Sequence, residues 1–186
     1  MGVSISLLFV RDRAIDEILG DLDLTMTDEH HETPLILRGA FVTARLPSGF
    51  HMIWSNTCDE RRFSKPVLTK MSDGGEAVVV RVEEHVMFSQ AEFWRDGRQM
   101  WSLQHAGDID PTNLQIEGTL PTVFETLRQE EEARAADEQD FFDIPIRMTD
   151  HVAGYRYDRV HDWEKGMPYT ALVSTGPASR PFWKFW

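Results

Sequence analysis

The sequence predicts an α+β fold, in which one mostly antiparallel sheet of about six or seven strands carries two or three helices packed on one face. Three observations lead to this prediction. Runs of alternating apolar residues flank Asp96-Gly97, which is the strongest short-range hairpin signal in the chain. A second pair of such runs flanks Pro47-Ser48-Gly49. After Pro111 the apolar residues recur with helical spacing instead.

The N-terminal residues predict a strand, a short helix and a second strand. Apolar residues alternate with serine from Val3 to Phe9, which indicates a strand with one buried face. We expect Asp12 to be the N-cap of the helix and Gly20, which follows the apolar stripe, to end it. Alternation resumes at Leu22, and we expect this strand to end in the polar run 28–32.

The turn at Pro47-Ser48-Gly49 fixes the register of the first hairpin. A type I turn with glycine in the left-handed position sets Leu46 opposite Phe50. Counting back from the turn then pairs the remaining residues on two faces. The predicted core pairs are Ala44 with Met52 and Val42 with Trp54, and the other face holds Arg45 with His51 and Thr43 with Ile53.

The Asp96-Gly97 turn assigns a face to each side chain of the central hairpin in the same way. Even-numbered residues from Val78 to Trp94 form its apolar face, and Trp101 and Leu103 lie on the same face in the strand after the turn. A run of this length is long for one strand, so we expect a bend or bulge near Ser89-Gln90. The predicted pairs are Arg95 with Arg98, Trp94 with Gln99, Glu92 with Trp101 and Phe88 with His105.

Two helices are predicted after the hairpins. Thr122 and Glu125 have the spacing of a capping box beside an apolar stripe. A second helix is expected from Asp143 to a C-terminal cap at Gly154. The stretch 125–143 holds eight acidic and two basic residues, a net charge of -6, which is typical of a solvated helix end or connector and also suits a basic partner.

We expect residues 1–186 to form a single domain. The interval 58–75 is charged and contains Pro66 and Asp73-Gly74-Gly75, so it is the predicted internal boundary. The chain closes with an aromatic tail at 181–186.

The charge balance narrows the classes of partner. A formal net charge of -12 disfavours binding to nucleic acid or to an anionic membrane surface, and it favours cationic partners. The single cysteine, Cys58, excludes an intramolecular disulfide and indicates a reducing compartment. Asp59 and Glu60 disfavour its thiolate, so we expect a structural thiol. The stretch 1–10 resembles neither a signal peptide nor a membrane span, and we expect a cytoplasmic protein.

Three ionisable residues interrupt the even-numbered face of the central hairpin, and they are the candidate catalytic groups: Glu84, Glu92 and His105. A carboxylate and an imidazole in apolar surroundings are suited to general acid and base catalysis. In the predicted register, however, Glu84 lies about 13 Å from His105, given the rise per residue of a strand. A hydrogen-bonded structural histidine is therefore the favoured interpretation.

Two pairs are candidate metal ligands. Glu83 and His85 lie on one face of a strand, and His30 and His31 lie in a polar run. Two ligands do not make a site, and the spacing motifs of zinc sites are absent from the sequence. Phosphate-binding glycine motifs and the serine nucleophile elbow are absent as well, so we expect no cofactor.

The aromatic tail is the candidate partner-binding segment. Leaving several large rings in water would expose a patch of the size found at interfaces. The tail either folds back over its own sheet or anchors a homo-oligomer or a protein partner. Its candidate anchors are Phe182, Trp183, Phe185 and Trp186.

Taken with the acidic charge, these features favour a non-enzymatic protein-interaction module, either a binder of the immunity or antitoxin type or a subunit that requires a partner. The alternative is a small-molecule enzyme or ligand-binding domain with a pocket between the sheet and the helices.

Overall fold

The computed structural model describes residues 2–34, 41–108, 110–135, 138–166 and 168–175. These residues form one open antiparallel sheet of nine strands and four α-helices, which confirms the predicted α+β class. The strands follow the order β2-β9-β3-β4-β1-β5-β6-β7-β8 across the sheet. The elements are β1 (Ser4–Arg11), α1 (Ile15–Asp21), β2 (Leu24–His31), β3 (Phe41–Arg45), β4 (His51–Ser55), α2 (Lys65–Met71), β5 (Glu76–Glu83), β6 (Phe88–Arg95), β7 (Arg98–Ala106), β8 (Gln115–Gly118), α3 (Val123–Glu132), α4 (Asp143–Ala153) and β9 (Tyr169–Ser174).

The sheet has more strands than the sequence predicted, for two reasons. The long alternating run before Asp96 is two strands, β5 and β6, joined by a turn whose last residue, Met87, has a left-handed backbone with φ 50. This reversal comes shortly before the bend expected at Ser89-Gln90. In addition, β8 and β9 were not predicted as strands.

The helices cover both faces of the sheet, and the expectation of a single covered face was wrong. Helices α1 and α2 pack on one face, and α3 and α4 pack on the other. The cause is visible in β1, the middle strand of the sheet, whose alternate residues enter two separate cores. Leu7 and Phe9 face α3 and α4, whereas Leu8 and Val10 face α1 and α2. Both faces of β1 are therefore buried.

The register of the first hairpin is confirmed, including the core pairs Val42 with Trp54 and Ala44 with Met52. In the central hairpin only the two pairs nearest the turn are confirmed. A bulge at Met100 then shifts the register, so that Phe93 pairs with Trp101 and His105 pairs with Ser89 instead of Phe88. The predicted pairing of Glu92 with Trp101 was also wrong, because Glu92 pairs with Ser102.

The helix boundaries agree with the sequence more closely at α3 and α4 than at α1. Helix α4 begins at Asp143, and Gly154 ends it in the left-handed conformation, as predicted. Asp12 has φ 67 and is not the N-cap of α1, which is Ala14. The interval 58–75 contains α2, which packs on the sheet. Among the described helices, none combines the length and the hydrophobicity that crossing a membrane requires.

Candidate functional site

The structure does not bring the three candidate catalytic residues together. His105 faces α4, with its ring in edge contact with Phe142. Glu92 lies on the opposite face of the sheet, because the bulge and the turn before β6 change which residues face each core. Glu84 lies in that turn. The prediction that these residues share one face was wrong.

Glu84 and Glu92 are each held by hydrogen bonds within the fold. Glu84 accepts hydrogen bonds from the Val3 amide at 2.7 Å and from the Tyr157 hydroxyl at 2.8 Å. Glu92 accepts hydrogen bonds from Arg81 at 2.7 Å and from the Trp94 indole at 3.2 Å, and its side chain is 7% exposed. Glu84 therefore connects segments that are distant in the chain, whereas the ion pair of Glu92 with Arg81 joins the adjacent strands β5 and β6.

His105 is fully buried and sits beside the loop that follows β7. Its Nδ1 lies 2.9 Å from the carbonyl oxygen of Asn113, an arrangement in which the ring nitrogen donates. Its Nε2 lies 3.6 Å from Asp140 Oδ1, which is beyond hydrogen-bond distance. This geometry is that of a histidine fixed by a backbone acceptor, the interpretation favoured from the sequence.

The candidate metal ligands lie in two distant pairs. Glu83 and His85 bind each other, with 2.6 Å between Oε1 and Nδ1, and hydrogen bonds from Ser4 and His85 lower the pKa of the Glu83 carboxyl. His30 and His31 lie on β2, which four strands separate from β5. Within the described residues, no group of three or more potential ligands is placed to hold a metal ion.

The Cys58 thiol is half-buried. Burial, with a contribution from the nearby Glu83 carboxylate, raises its pKa to about 11. Thiolate is therefore scarce at neutral pH, which agrees with the structural role expected from Asp59 and Glu60.

The four candidate anchors of the aromatic tail, Phe182, Trp183, Phe185 and Trp186, lie outside the described residues.

An aromatic cleft of about 390 Å³ lies between the turn after β2, the end of β4 and the loop after α4. Its rings are hydrogen-bonded to fixed partners. Tyr157 donates to Glu84, and Tyr155 bonds Tyr169, which donates to Glu164. Burial raises the pKa of each tyrosine, so the hydroxyls stay protonated. The residues that line this cleft are Glu32, Thr33, Pro34, Trp54, Tyr155, Tyr157, Asp158, Arg159, Val160 and Glu164.

The second candidate surface is the edge strand β8. It is the last strand of the sheet and pairs only with β7 among the described residues. All four of its residues are exposed, and Ile116 is 45% exposed. The unpaired backbone groups of an exposed edge strand are a template for pairing with another chain.

A groove runs along each face of β8. The first groove, of about 340 Å³, lies between β8 and α3. Its lining is half apolar and half polar or charged, and consists of Leu114, Ile116, Phe124, Phe141, Thr112, Arg128, Glu132 and Gln139. The polar groove, of about 120 Å³, lies on the opposite face, because Ser102 and Gln104 pair with Glu117 and Gln115 there. It is lined by Lys65, Gln90, Glu92, Gln99, Ser102, Gln104, Gln115 and Glu117.

The sequence analysis missed both surfaces. For β8 a weak signal exists, since polar and apolar residues alternate from Gln115 to Glu117 before Gly118. Four residues are too few to separate such a pattern from chance. The aromatic cleft has no local signal, because its walls come from segments as distant as Trp54 and Glu164.

Comparison of the chain with protein-family models, curated proteins and solved structures finds no match.

Proposed function

We propose that this protein is an acidic binding module that recognises a cationic protein partner by adding a strand of that partner to β8. The observation that carries the proposal is the β8 edge, which among the described residues pairs with β7 alone and lies between two grooves. Strand addition obtains affinity from main-chain hydrogen bonds and specificity from pockets that receive alternate side chains. An edge strand with a groove on each side offers both.

The opposite edge of the sheet is a natural comparison. The outer strand there, β2, carries a register irregularity between Met26 and His30, and Asp28 and Glu29 are exposed on it. Bulges and charges are the devices by which edge strands avoid pairing. β8 has an uninterrupted register with β7 from Gln115 to Gly118. Both edges carry exposed carboxylates, and they differ in the regularity of their backbone pairing, which is interrupted only in β2.

Charge supports a cationic partner. The whole chain has a formal net charge of -12. Beside β8, helix α3 contains four glutamates and one arginine. A negative electrostatic field attracts cationic partners to the surface and disfavours the binding of acidic partners.

The test is site-specific crosslinking in lysate of the source cells. A photo-crosslinking residue at Ile116 is compared with one at Met26, which is 43% exposed on the β2 edge. We expect a basic protein to be crosslinked through position 116 only, and the same product to disappear when Ile116→Lys is introduced beside a crosslinker at Gln115. Equal products from both edges, or none from position 116, would contradict the proposal.

A second candidate function, binding of a small ligand, is favoured by the aromatic cleft. Its volume of about 390 Å³ falls in the range of small-molecule sites. Three carboxylates line it, and that of Asp158 is already paired with Arg156. The other two, of Glu32 and Glu164, stand against the one guanidinium of Arg159, which favours an aromatic amine over an aromatic acid.

Thermal shift with a panel of aromatic amines, and with the corresponding carboxylic acids as controls, tests this second function. We expect an amine to raise the Tm and Glu32→Ala to reduce that rise, because binding to the native state stabilises it. No shift with any amine, or equal shifts with the acids, would remove the candidate.

A further inference from the structure

The chain that carries the aromatic tail leaves the sheet one strand length away from the aromatic cleft. β9 ends at Ser174, and the amide of the next residue, Thr175, donates a hydrogen bond to the Asp23 carbonyl oxygen at 2.9 Å. The other end of β9 is Tyr169, whose hydroxyl bonds Tyr155 and Glu164 of the cleft. Thr175 and the cleft are therefore about 20 Å apart, given the rise per residue of a strand.

From this placement we propose that the aromatic tail, residues 181–186, docks in the aromatic cleft of its own molecule. The inference goes beyond strand addition at β8 and does not depend on it. A tail in this position closes the cleft to other ligands, so it competes with the amine of the second candidate function.

The length of the intervening chain suits the cleft. Gly176-Pro177, a turn signal, directly follows Thr175 and favours a reversal of the chain there. The six residues from 178 to Trp183 then span about 20 Å when extended, which matches the length of β9. The groove between β8 and α3 is farther away, because seven strand spacings, about 34 Å, separate β9 from β8. Trp183, eight residues beyond Thr175, reaches about 29 Å at most and falls short of that groove.

Exposed apolar surface lies along this route. Alternate residues of a strand point to one face, so Val173 lies on the same face of β9 as Tyr169. Val173 is 49% exposed and stands between Thr175 and the cleft, and Val160, which lines the cleft, is 94% exposed. A tail laid along this face would cover both valines and remove its own rings from water.

Charge favours the tail as the occupant. Residues 176–186 contain two basic and no acidic residues, although the chain as a whole has a formal net charge of -12. Glu32 lines the cleft without an ion-pair partner among the described residues. Glu164 accepts hydrogen bonds from neutral groups, the Tyr169 hydroxyl and the His161 amide, the latter at 2.8 Å. Lys184, which has rings on both sides in the sequence, would bring an ammonium group beside these carboxylates.

Photo-crosslinking within the purified full chain tests the proposal. A photo-crosslinking residue replaces Val160, and the same residue at Ile116 on β8 is the control. An equal mixture of unlabelled and isotope-labelled chains is irradiated, and the linked peptides are identified by mass spectrometry. We expect position 160 to be linked to residues 181–186 of the same chain, and position 116 to give no such link. Mixed-label products would assign the tail to a second copy, and these products, or equal links from both positions, or none from position 160, would overturn the proposal.

Two charge variants test whether the cleft carboxylates hold the tail. Glu32→Gln is expected to lower the yield of the link from position 160 at least about twofold, because Lys184 loses an opposite charge. Glu29→Gln removes an exposed carboxylate of β2 that does not line the cleft, so it is the matched control that leaves the yield unchanged. Equal effects of the two variants would overturn the role assigned to charge.

Discussion

Replacing Arg81 by methionine should lower the stability of the fold, because the buried carboxylate of Glu92 loses its ion-pair partner. Arg81 is a residue of β5, and its side chain is 16% exposed. The side chain contacts β6 and the segment before α2. It donates to Glu92 at 2.7 Å, to Gln90 at 3.2 Å and to the Phe63 carbonyl at 2.6 Å. Arg81→Met leaves the Glu92 carboxylate buried without its cation, and losing one partner of such a pair costs about 3 kcal/mol or more.

The assay is urea unfolding followed by far-UV circular dichroism and tryptophan fluorescence. For a chain of this length, a loss of about 3 kcal/mol lowers the Tm by about 6 to 12 °C. Adding Glu92→Gln to Arg81→Met removes the unpaired charge while an oxygen remains for Trp94. We expect the double variant to regain about 1 to 2 kcal/mol relative to Arg81→Met, because the two sites are directly coupled. A loss of stability below about 1 kcal/mol for Arg81→Met would refute the reasoning. A double variant whose loss equals the sum of the losses of Arg81→Met and Glu92→Gln would refute it as well.

Three further predictions concern separate parts of the chain. Gly118→Ala should destabilise by at least about 2 kcal/mol in urea unfolding, because Gly118 has φ 77 and an added Cβ would lie 2.2 Å from the Met100 carbonyl oxygen; unchanged stability would contradict this. Cys58, with its pKa raised to about 11, should react with iodoacetamide at pH 8 on the order of a hundredfold more slowly in the native protein than in urea, and equal rates would refute a protected thiol. Burial opposes ionisation of Asp21, but hydrogen bonds from Lys70 and Arg13 lower the pKa of its carboxyl below the ordinary value. The stabilisation by the ionised carboxylate is therefore present above the pKa of the unfolded state and is lost as pH falls through the lower pKa of the folded state. Asp21→Asn should be less stable than the parent at about pH 7, and the difference should shrink as pH is lowered. A difference in stability that does not change with pH would contradict the assignment.

The parts of the fold that the sequence predicted well are those determined by local chemistry. The turn at Pro47-Ser48-Gly49 fixes its hairpin register, and every predicted pair from Val42 to Arg45 is confirmed. Gly154 ends α4 because its left-handed backbone closes the helix there. In these cases the turn or cap residue is adjacent in sequence to the structure that it specifies.

The errors come from features that depend on tertiary packing. The bulge at Met100 changes the face of every later residue of β7, and no local signal marks it. The turn ending at Met87 uses a left-handed non-glycine residue, which is uncommon and so was not predicted. Together they separate Glu92 from His105. Burial of both faces of β1 depends on its central place in the sheet, which a single strand pattern does not reveal.

The candidate surfaces could be predicted only in part. The acidic charge that supports a cationic partner is a property of composition and was available from the sequence. The edge position of β8 depends on the order of all nine strands, and the groove between β8 and α3 requires that helix to lie beside Leu114 and Ile116.

Hydrogen exchange of the full chain, free and bound to the basic protein that is crosslinked through position 116, tests the central claim most directly. Strand addition to β8 predicts slower exchange of backbone amides within Gln115–Gly118 on binding, while the amides of β2 remain unchanged. Protection that appears at β2, or binding without any protection of β8, would contradict the account.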